Sequence, residues 1–260
     1  MTDADFSLLD LPQVRGMMFY PRRDRTPARA GAHDIFIAVE GARLHARRYV
    51  GEPDRPTVLL FHGNGEVVAD YDDIAPVYAY FGLNLVVADF RGYGQSDGSP
   101  SYTAMMADAH AVKRAVFDDL DGAAWLAGRY LMGRSLGALS AVELAATAAD
   151  GFCGVVFESG AANLGGWARR APAGSDAAAW GALAEAQLTR IASIRLPLLT
   201  IHGAEDELIP VERALETHEA AGSAEKELVV VEGAGHNDLM AVGLREYFEA
   251  LAAFAGRGEG

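Results

Sequence analysis

The amino-acid sequence predicts an α/β fold, a mostly parallel eight-stranded sheet flanked by helices and carrying a short helical lid insertion. Three observations point that way. Short apolar, β-branched runs alternate with helix-like runs along most of the chain, the pattern of a parallel sheet covered on both faces. The composition, 50% hydrophobic and 22% charged, fills a core of ordinary size and lies far from the disordered regime. No internal repeat interrupts the alternation, and at ~150 residues per domain the 260 residues admit one large domain.

Residues 1–33, which include FYPRRDRTP, precede the first strand and read as an arm laid over a domain of residues 34–260. No chemistry is assigned to the arm. DIFIAVE (34–40) and RLHARRYV (43–50) flank Gly41 and Ala42 and alternate as an antiparallel opening hairpin does. Six further runs read as buried strands: VLLFH (58–62), LNLVVADF (83–90), RYLMGR (129–134), GVVFES (154–159), PLLTIHG (197–203) and ELVVVE (227–232). Apolar residues recur at three- and four-residue spacing over 70–81, 102–119, 136–149, 210–221 and 238–255, which predicts helices between the strands. Residues 160–195 break this rhythm. They are rich in Ala and Gly, carry Trp167 and Trp180, and are too long for a simple connection, so a small helical lid is expected there.

Charge and cysteine usage exclude several classes. With 22 basic against 36 acidic residues the net charge is −14, which repels phosphate backbones and anionic headgroups, so no nucleic-acid partner is expected. The longest uncharged run, Ile74 to Ala88, contains Pro76 and Gly82 and falls short of the ~20 residues that span a bilayer; no stable membrane insertion is expected. The start MTDADFSLLD is acidic where a secretory signal requires a basic segment and an apolar stretch, and a cytoplasmic location is the expectation. The lone Cys153 closes no intramolecular disulfide, and without CxxC or a His/Cys cluster no metal site is proposed. Cys153 itself is expected as a small buried residue in a strand.

The pattern GxSxG occurs twice, at Gly133, Ser135 and Gly137 and at Gly94, Ser96 and Gly98, so context must choose. Ser135 directly follows RYLMGR and precedes LGALSAVELAATAA, which places it on a strand-to-helix turn with its hydroxyl exposed above the sheet. Such a turn strains the serine backbone and leaves room only for glycine two residues to either side. Ser96 lies in DFRGYGQSDGSPS, a glycine-rich loop, and reads as a turn residue.

A serine hydroxyl is a weak nucleophile. It needs a base to take its proton, and the base needs a carboxylate to fix its tautomer. His236, in GAGHND after the last strand, emerges at the same carboxyl edge of a parallel sheet as Ser135. His33, His45, His110 and His218 fall on the arm, a strand or helices, and His62 and His202 on strand ends. Asp206, in HGAEDELIP, also follows a strand at that edge and is the favoured carboxylate; Glu205, Glu207 and Glu158 remain rivals. The loop HGNGE (62–66) after VLLFH can turn backbone N–H groups toward the serine, and the amides of Asn64 and Leu136 are the expected oxyanion-hole donors. Which amide of that loop points inward stays open.

With HGNG after the third strand, GRSLGA at the turn, HGAEDELIP and GAGHND, the chain resembles the α/β-hydrolase superfamily over about residues 34–255. DFRGYGQSDGSPS is similar to the corresponding segment of the branch holding bacterial esterases, monoacylglycerol-lipase-like proteins and protein depalmitoylases. The resemblance implies an α/β-hydrolase fold and a serine hydrolase that cleaves a small-molecule carboxylic ester or thioester through an acyl-enzyme on Ser135, with water activated by His236. No cofactor is implied. Trp167, Trp180 and Leu164 are candidates for lining an acyl pocket, against the alternative that they only pack the insertion. Ser135, Asp206 and His236 would also serve an acyltransferase, a perhydrolase or a serine peptidase; a non-catalytic binding protein on the same fold is the rival from another class.

Overall fold

The structure, a computed structural model, describes residues 4–160 and 162–259; the first three residues of the expected arm, residue 161 of the insertion and residue 260 lie outside the described residues. Eight strands form one sheet: β1 (His33–Val39), β2 (Ala42–Arg48), β3 (Thr57–Phe61), β4 (Asn84–Ala88), β5 (Arg129–Arg134), β6 (Gly154–Glu158), β7 (Leu198–Gly203) and β8 (Lys226–Val231). Their order is β1-β2-β4-β3-β5-β6-β7-β8. β1–β2 and β2–β4 are antiparallel, and the remaining pairs are parallel. The hairpin turn is Glu40-Gly41 rather than Gly41-Ala42, because Val39 pairs with Ala42 and Gly41 takes the positive φ of +69° that a two-residue hairpin turn demands.

Why the central runs are apolar throughout follows from their burial on both faces. Leu59 and Phe61 of β3, Leu131 of β5 and Val155 and Phe157 of β6 face one hydrophobic layer. Their neighbours Val58, Leu60, Tyr130, Met132 and Val156 face the other, as the two-residue side-chain period requires.

The helices are α1 (Pro12–Met18), α2 (Ala75–Tyr80), α3 (Tyr102–Gly122), α4 (Ala138–Thr147), α5 (Gly165–Ala168), α6 (Ala177–Ser193), α7 (Val211–Ala220), α8 (Leu239–Val242) and α9 (Leu244–Ala255). Two of the expected helices are shorter than their periodicity suggests. The run 70–81 splits into a 3-10 turn, Val68–Asp72, and α2: Pro76 sits in the first turn of α2, where its missing N–H is harmless, whereas mid-helix it would clash with the preceding turn. The run 238–255 breaks at Gly243, whose Cα lies against the Val231 side chain so closely that a Cβ there would collide with it.

The stretch 160–195 divides in two. Its second half, α6, is the crossover helix between β6 and β7. Trp180, Leu183 and Ile191 of α6 are buried in the main core, Arg190 Nη1 donates to Glu143 Oε2 of α4 at 2.7 Å, and Asp176 caps the helix through Ala178 N–H. The short α5 and its flanking turns make up the rest. Cys153 is half-buried and lies one residue before β6, so the expectation of a buried strand residue does not hold. The arm buries Leu9, Val14 and Met18 in the main core and pairs with the body through a bridge between Arg23 and Gly94. Among the described residues no helix is long and apolar enough to cross a membrane.

Candidate active site

Ser135 occupies the first position after β5, with φ +50°, the left-handed region that side chains other than glycine rarely adopt. The turn closes because glycines flank it. A Cβ on Gly133 would stand 2.5 Å from the Gly137 carbonyl oxygen, and one on Gly137 would collide with the carbonyl of Phe61 at the end of β3. A 3-10 turn, Ser135–Gly137, then runs straight into α4, so the amides that open this helix sit beside the serine.

The other two side chains arrive from neighbouring strand ends. Asp206 follows β7, and His236 lies beyond β8 in a loop that crosses the end of β7; Gly203 permits the crossing, since a Cβ there would collide with the carbonyl of Ala234. Ser135 Oγ is 3.0 Å from His236 Nε2, and His236 Nδ1–H donates to Asp206 Oδ2 at 2.7 Å. Asp206 is buried and its Oδ1 accepts the N–H groups of Leu208 and Ile209 at 2.9 and 2.8 Å. The carboxylate is thereby fixed in rotation as well as position. With Nδ1 donating, Nε2 carries the lone pair that faces the serine hydroxyl.

The rival acids lie elsewhere. Glu158 is buried beneath the site, with Oε1 accepting from Arg134 Nε at 3.2 Å and Oε2 accepting from Tyr247 OH at 3.0 Å. Burial pushes the Glu158 carboxyl up, and the neighbouring Glu66 adds to the shift, against the opposing pull of Arg134. Glu205 is exposed and Glu207 is exposed. Ser96, of the second GxSxG, is buried with its hydroxyl spent: Oγ donates to the Asp89 carbonyl at 3.0 Å and accepts the His45 N–H at 2.9 Å. Three other histidines are engaged elsewhere: His45 with Asp89 at 2.7 Å, His110 with Glu143 at 3.1 Å and His218 with Thr200 at 2.9 Å.

In the loop after β3, the Gly63 N–H donates to Glu66 Oε2 at 2.8 Å, which takes that amide out of contention as an oxyanion donor. The Asn64 side chain points into the arm: Oδ1 accepts from Tyr20 N–H at 2.9 Å and Tyr93 OH at 2.7 Å, and Nδ2 donates to the Met18 carbonyl at 2.9 Å. The arm therefore holds the loop that follows β3, a role no local sequence signal could reveal because the partners are more than forty residues apart. Leu136 is half-buried directly after Ser135. Of the candidate pocket residues, Trp180 and Leu164 are buried in the main core and Trp167 packs against it half-buried.

Arg134, Tyr247 and His202 also belong to this site and were not expected in it. Arg134 reaches from the end of β5 to Glu158 at the end of β6 and to the loops that carry Glu66 and His236. His202 Nε2 lies 2.8 Å from the Ile209 carbonyl and 3.2 Å from Asp206 Oδ2. The available signal was a set of ionisable residues closing otherwise apolar strands. Among the described residues no group of three or more His, Cys, Asp or Glu side chains is arranged to hold a metal ion.

Comparison with known proteins agrees with this architecture. Over residues 52–182 and 177–240 the chain matches the family described as serine aminopeptidase, S33. It is 28% identical to the uncharacterized protein Rv2307c of Mycobacterium tuberculosis, over 93% of this chain and 87% of that protein. To human alpha/beta hydrolase domain-containing protein 17B it is 30% identical, over 76% of this chain and 65% of that one. The Pyrococcus furiosus esterase Pf2001 superposes with a TM-score of 0.71 at 21% identity, covering 92% of this chain and 99% of the esterase. A Paleococcus ferrophilus monoacylglycerol lipase superposes with a TM-score of 0.65 at 20% identity, over 83% and 99% of the two chains. The two superposed structures share the fold of this chain, and the chain belongs to the serine aminopeptidase S33 family of α/β hydrolases.

Proposed function

We propose that the protein is a serine hydrolase that cleaves carboxylic esters or thioesters of small molecules through an acyl-enzyme intermediate. The observation that carries this reading is the unbroken run of hydrogen bonds from Ser135 Oγ to His236 Nε2 and from His236 Nδ1 to Asp206, on a serine held at positive φ. In this reading His236 takes the Ser135 proton as Oγ attacks the acyl carbon, and Asp206 stabilises the imidazolium that results. The tetrahedral oxyanion is held by the N–H groups of Asn64 and Leu136, each such donor contributing about 3 kcal/mol to the transition state. His236 then returns its proton to the leaving alkoxide or thiolate. Water, deprotonated by His236, attacks the Ser135 ester and releases the acid.

The test is hydrolysis of p-nitrophenyl esters and acyl thioesters of graded chain length by the parent and by Ser135→Ala. Turnover by the parent and its loss in the variant support the reading. Equal turnover by both sinks it. A peptidase reading takes its support from the family description, serine aminopeptidase. Aminoacyl p-nitroanilides, run beside the esters, decide between the two by which class of substrate gives the larger kcat/KM.

A further inference from the structure

Arg134 stands between Gly133 and Ser135 at the end of the central strand, and its guanidinium is buried. Burying a cation in this way costs several kcal/mol unless every donor finds an acceptor. Here the acceptors come from three different chain segments. Nε donates to Glu158 Oε1 at the end of β6 at 3.2 Å. Nη1 donates to Glu66 Oε1, and Glu66 Oε2 in turn accepts the Gly63 N–H at 2.8 Å and Tyr71 OH at 2.8 Å. Nη2 donates to the backbone carbonyl of His236 at 3.2 Å and to Asn237 Oδ1 at 3.2 Å. Gly63 is small for the same reason, because a Cβ at that position would collide with Arg134 Nη1.

We propose that Arg134 is a positioning residue that fixes the Gly63–Glu66 turn and the His236 backbone in register with Ser135, an assignment that rests on the hydrolase reading above. The guanidinium is planar and its donors are rigidly disposed, so one side chain sets the distance between the two loops. Anchoring Glu66 fixes the His62–Gly63 peptide through the Gly63 N–H, and the Glu66 N–H in turn donates to the Gly63 carbonyl at 3.2 Å, which orients the following peptide plane and with it the Asn64 N–H proposed for the oxyanion. Anchoring the His236 carbonyl fixes the imidazole that must meet Ser135 Oγ. Loops that drift by about 1 Å relative to the serine lose roughly 10²-fold in rate, while binding of the ester, which this arginine does not touch, is little changed. Lysine supplies the charge without the fork and can hold only part of this geometry.

The experiment compares the parent with Arg134→Met, Arg134→Lys, Glu66→Gln and the double variant Arg134→Met/Glu66→Gln, using p-nitrophenyl butyrate. A fluorophosphonate carried to complete labelling counts competent serines, so that kcat refers to folded sites. Arg134→Met is expected to lower kcat by roughly 10²-fold with KM within about twofold, since the geometry of attack and not ground-state binding is lost. Arg134→Lys recovers part of that loss, and the double variant is no worse than Arg134→Met alone, because the two residues act as one unit. An unchanged kcat per labelled site, with only a lower melting temperature, would mean a merely structural role and overturns the proposal. Should Arg134→Met not fold, Glu66→Gln decides in its place: a fall in kcat of several-fold supports the assignment, and no fall overturns it. Ser135→Ala is run alongside. If it retains activity, the hydrolase reading fails and the positioning role falls with it; if it is inactive while Arg134→Met turns over normally, only the positioning role falls.

Discussion

His202 Nε2 lies 3.2 Å from the same Asp206 oxygen that accepts from His236 Nδ1 at 2.7 Å. Two imidazoles thus converge on one carboxylate, and the inner one also donates to the Ile209 carbonyl at 2.8 Å. Because Ile209 N–H donates back to Asp206, His202 closes the turn that carries the acid. Replacement of His202 by Leu removes both contacts from a fully buried position and is expected to lower kcat about tenfold and stability by about 2 kcal/mol, as an unmade buried hydrogen bond does. His202→Gln, which keeps a donor, is expected to recover most of both. Steady-state kinetics and urea unfolding on the two variants check this.

Glu158 and Asp206 compete for the acid role in the sequence and are separated by their partners in the structure. Asp206 faces His236, and Glu158 faces Arg134 and Tyr247. Asp206→Asn presents an amide to the imidazole and is expected to depress kcat by about 10³- to 10⁴-fold with the fold intact. Glu158→Gln is expected to cost no more than about tenfold, since it disturbs only the anchoring beneath. Circular dichroism and kcat on both variants separate the two roles.

Asp89 gives the stability a predictable pH dependence. Burial pushes this carboxyl up, but hydrogen bonds from His45 and the Val68 N–H, with the His62 imidazole 3.5 Å away, outweigh it and hold the group well below the ordinary 3.8. A carboxyl depressed in the folded state contributes stability that is fully present above its unfolded value and is lost as pH falls through its folded value. The gap in urea midpoint between the parent and Asp89→Asn should therefore be widest at neutral pH and shrink progressively below about pH 4. A gap that stays constant from pH 7 down to pH 3 would contradict the assignment.

Gly137 allows the first turn of α4 to touch the end of β3. An alanine there would drive its Cβ into the Phe61 carbonyl, and backbone cannot yield as a side-chain tip can. Gly137→Ala should lose about 3 kcal/mol or more of stability, or fail to accumulate as folded protein. Thermal melts of the variant beside Gly128→Ala, where a Cβ would meet only the Tyr130 and Cys153 side chains at 3.2 and 3.4 Å, provide the comparison.

Strands and most helices were legible because burial on both faces of a parallel sheet leaves a continuous apolar imprint, as in Val58 to Phe61 and Val155 to Phe157. The positions of Ser135, Asp206 and His236 were legible for a related reason: each follows such a run, and parallel strands present their carboxyl ends at one edge. What escaped were interactions without local period. Pro76 and Gly243 cut helices whose apolar spacing continued through them. The crossover helix α6 looked like an insertion because Ala-rich periodicity does not say which surface it packs against. Arg134 passed unnoticed because a charged residue between Gly133 and Ser135 reads as solvated until Glu66, Glu158 and the His236 carbonyl are brought around it by folding. The contact between the arm and Asn64 joins segments whose proximity only the tertiary structure creates.

The role of Ser135 as nucleophile is open to covalent test: treat the parent, Ser135→Ala and Ser96→Ala with a fluorophosphonate probe and map the modified peptide by mass spectrometry. A single adduct on Ser135 is expected in the parent and in Ser96→Ala, and none in Ser135→Ala. An adduct on Ser96, or no adduct in the parent at all, would contradict it.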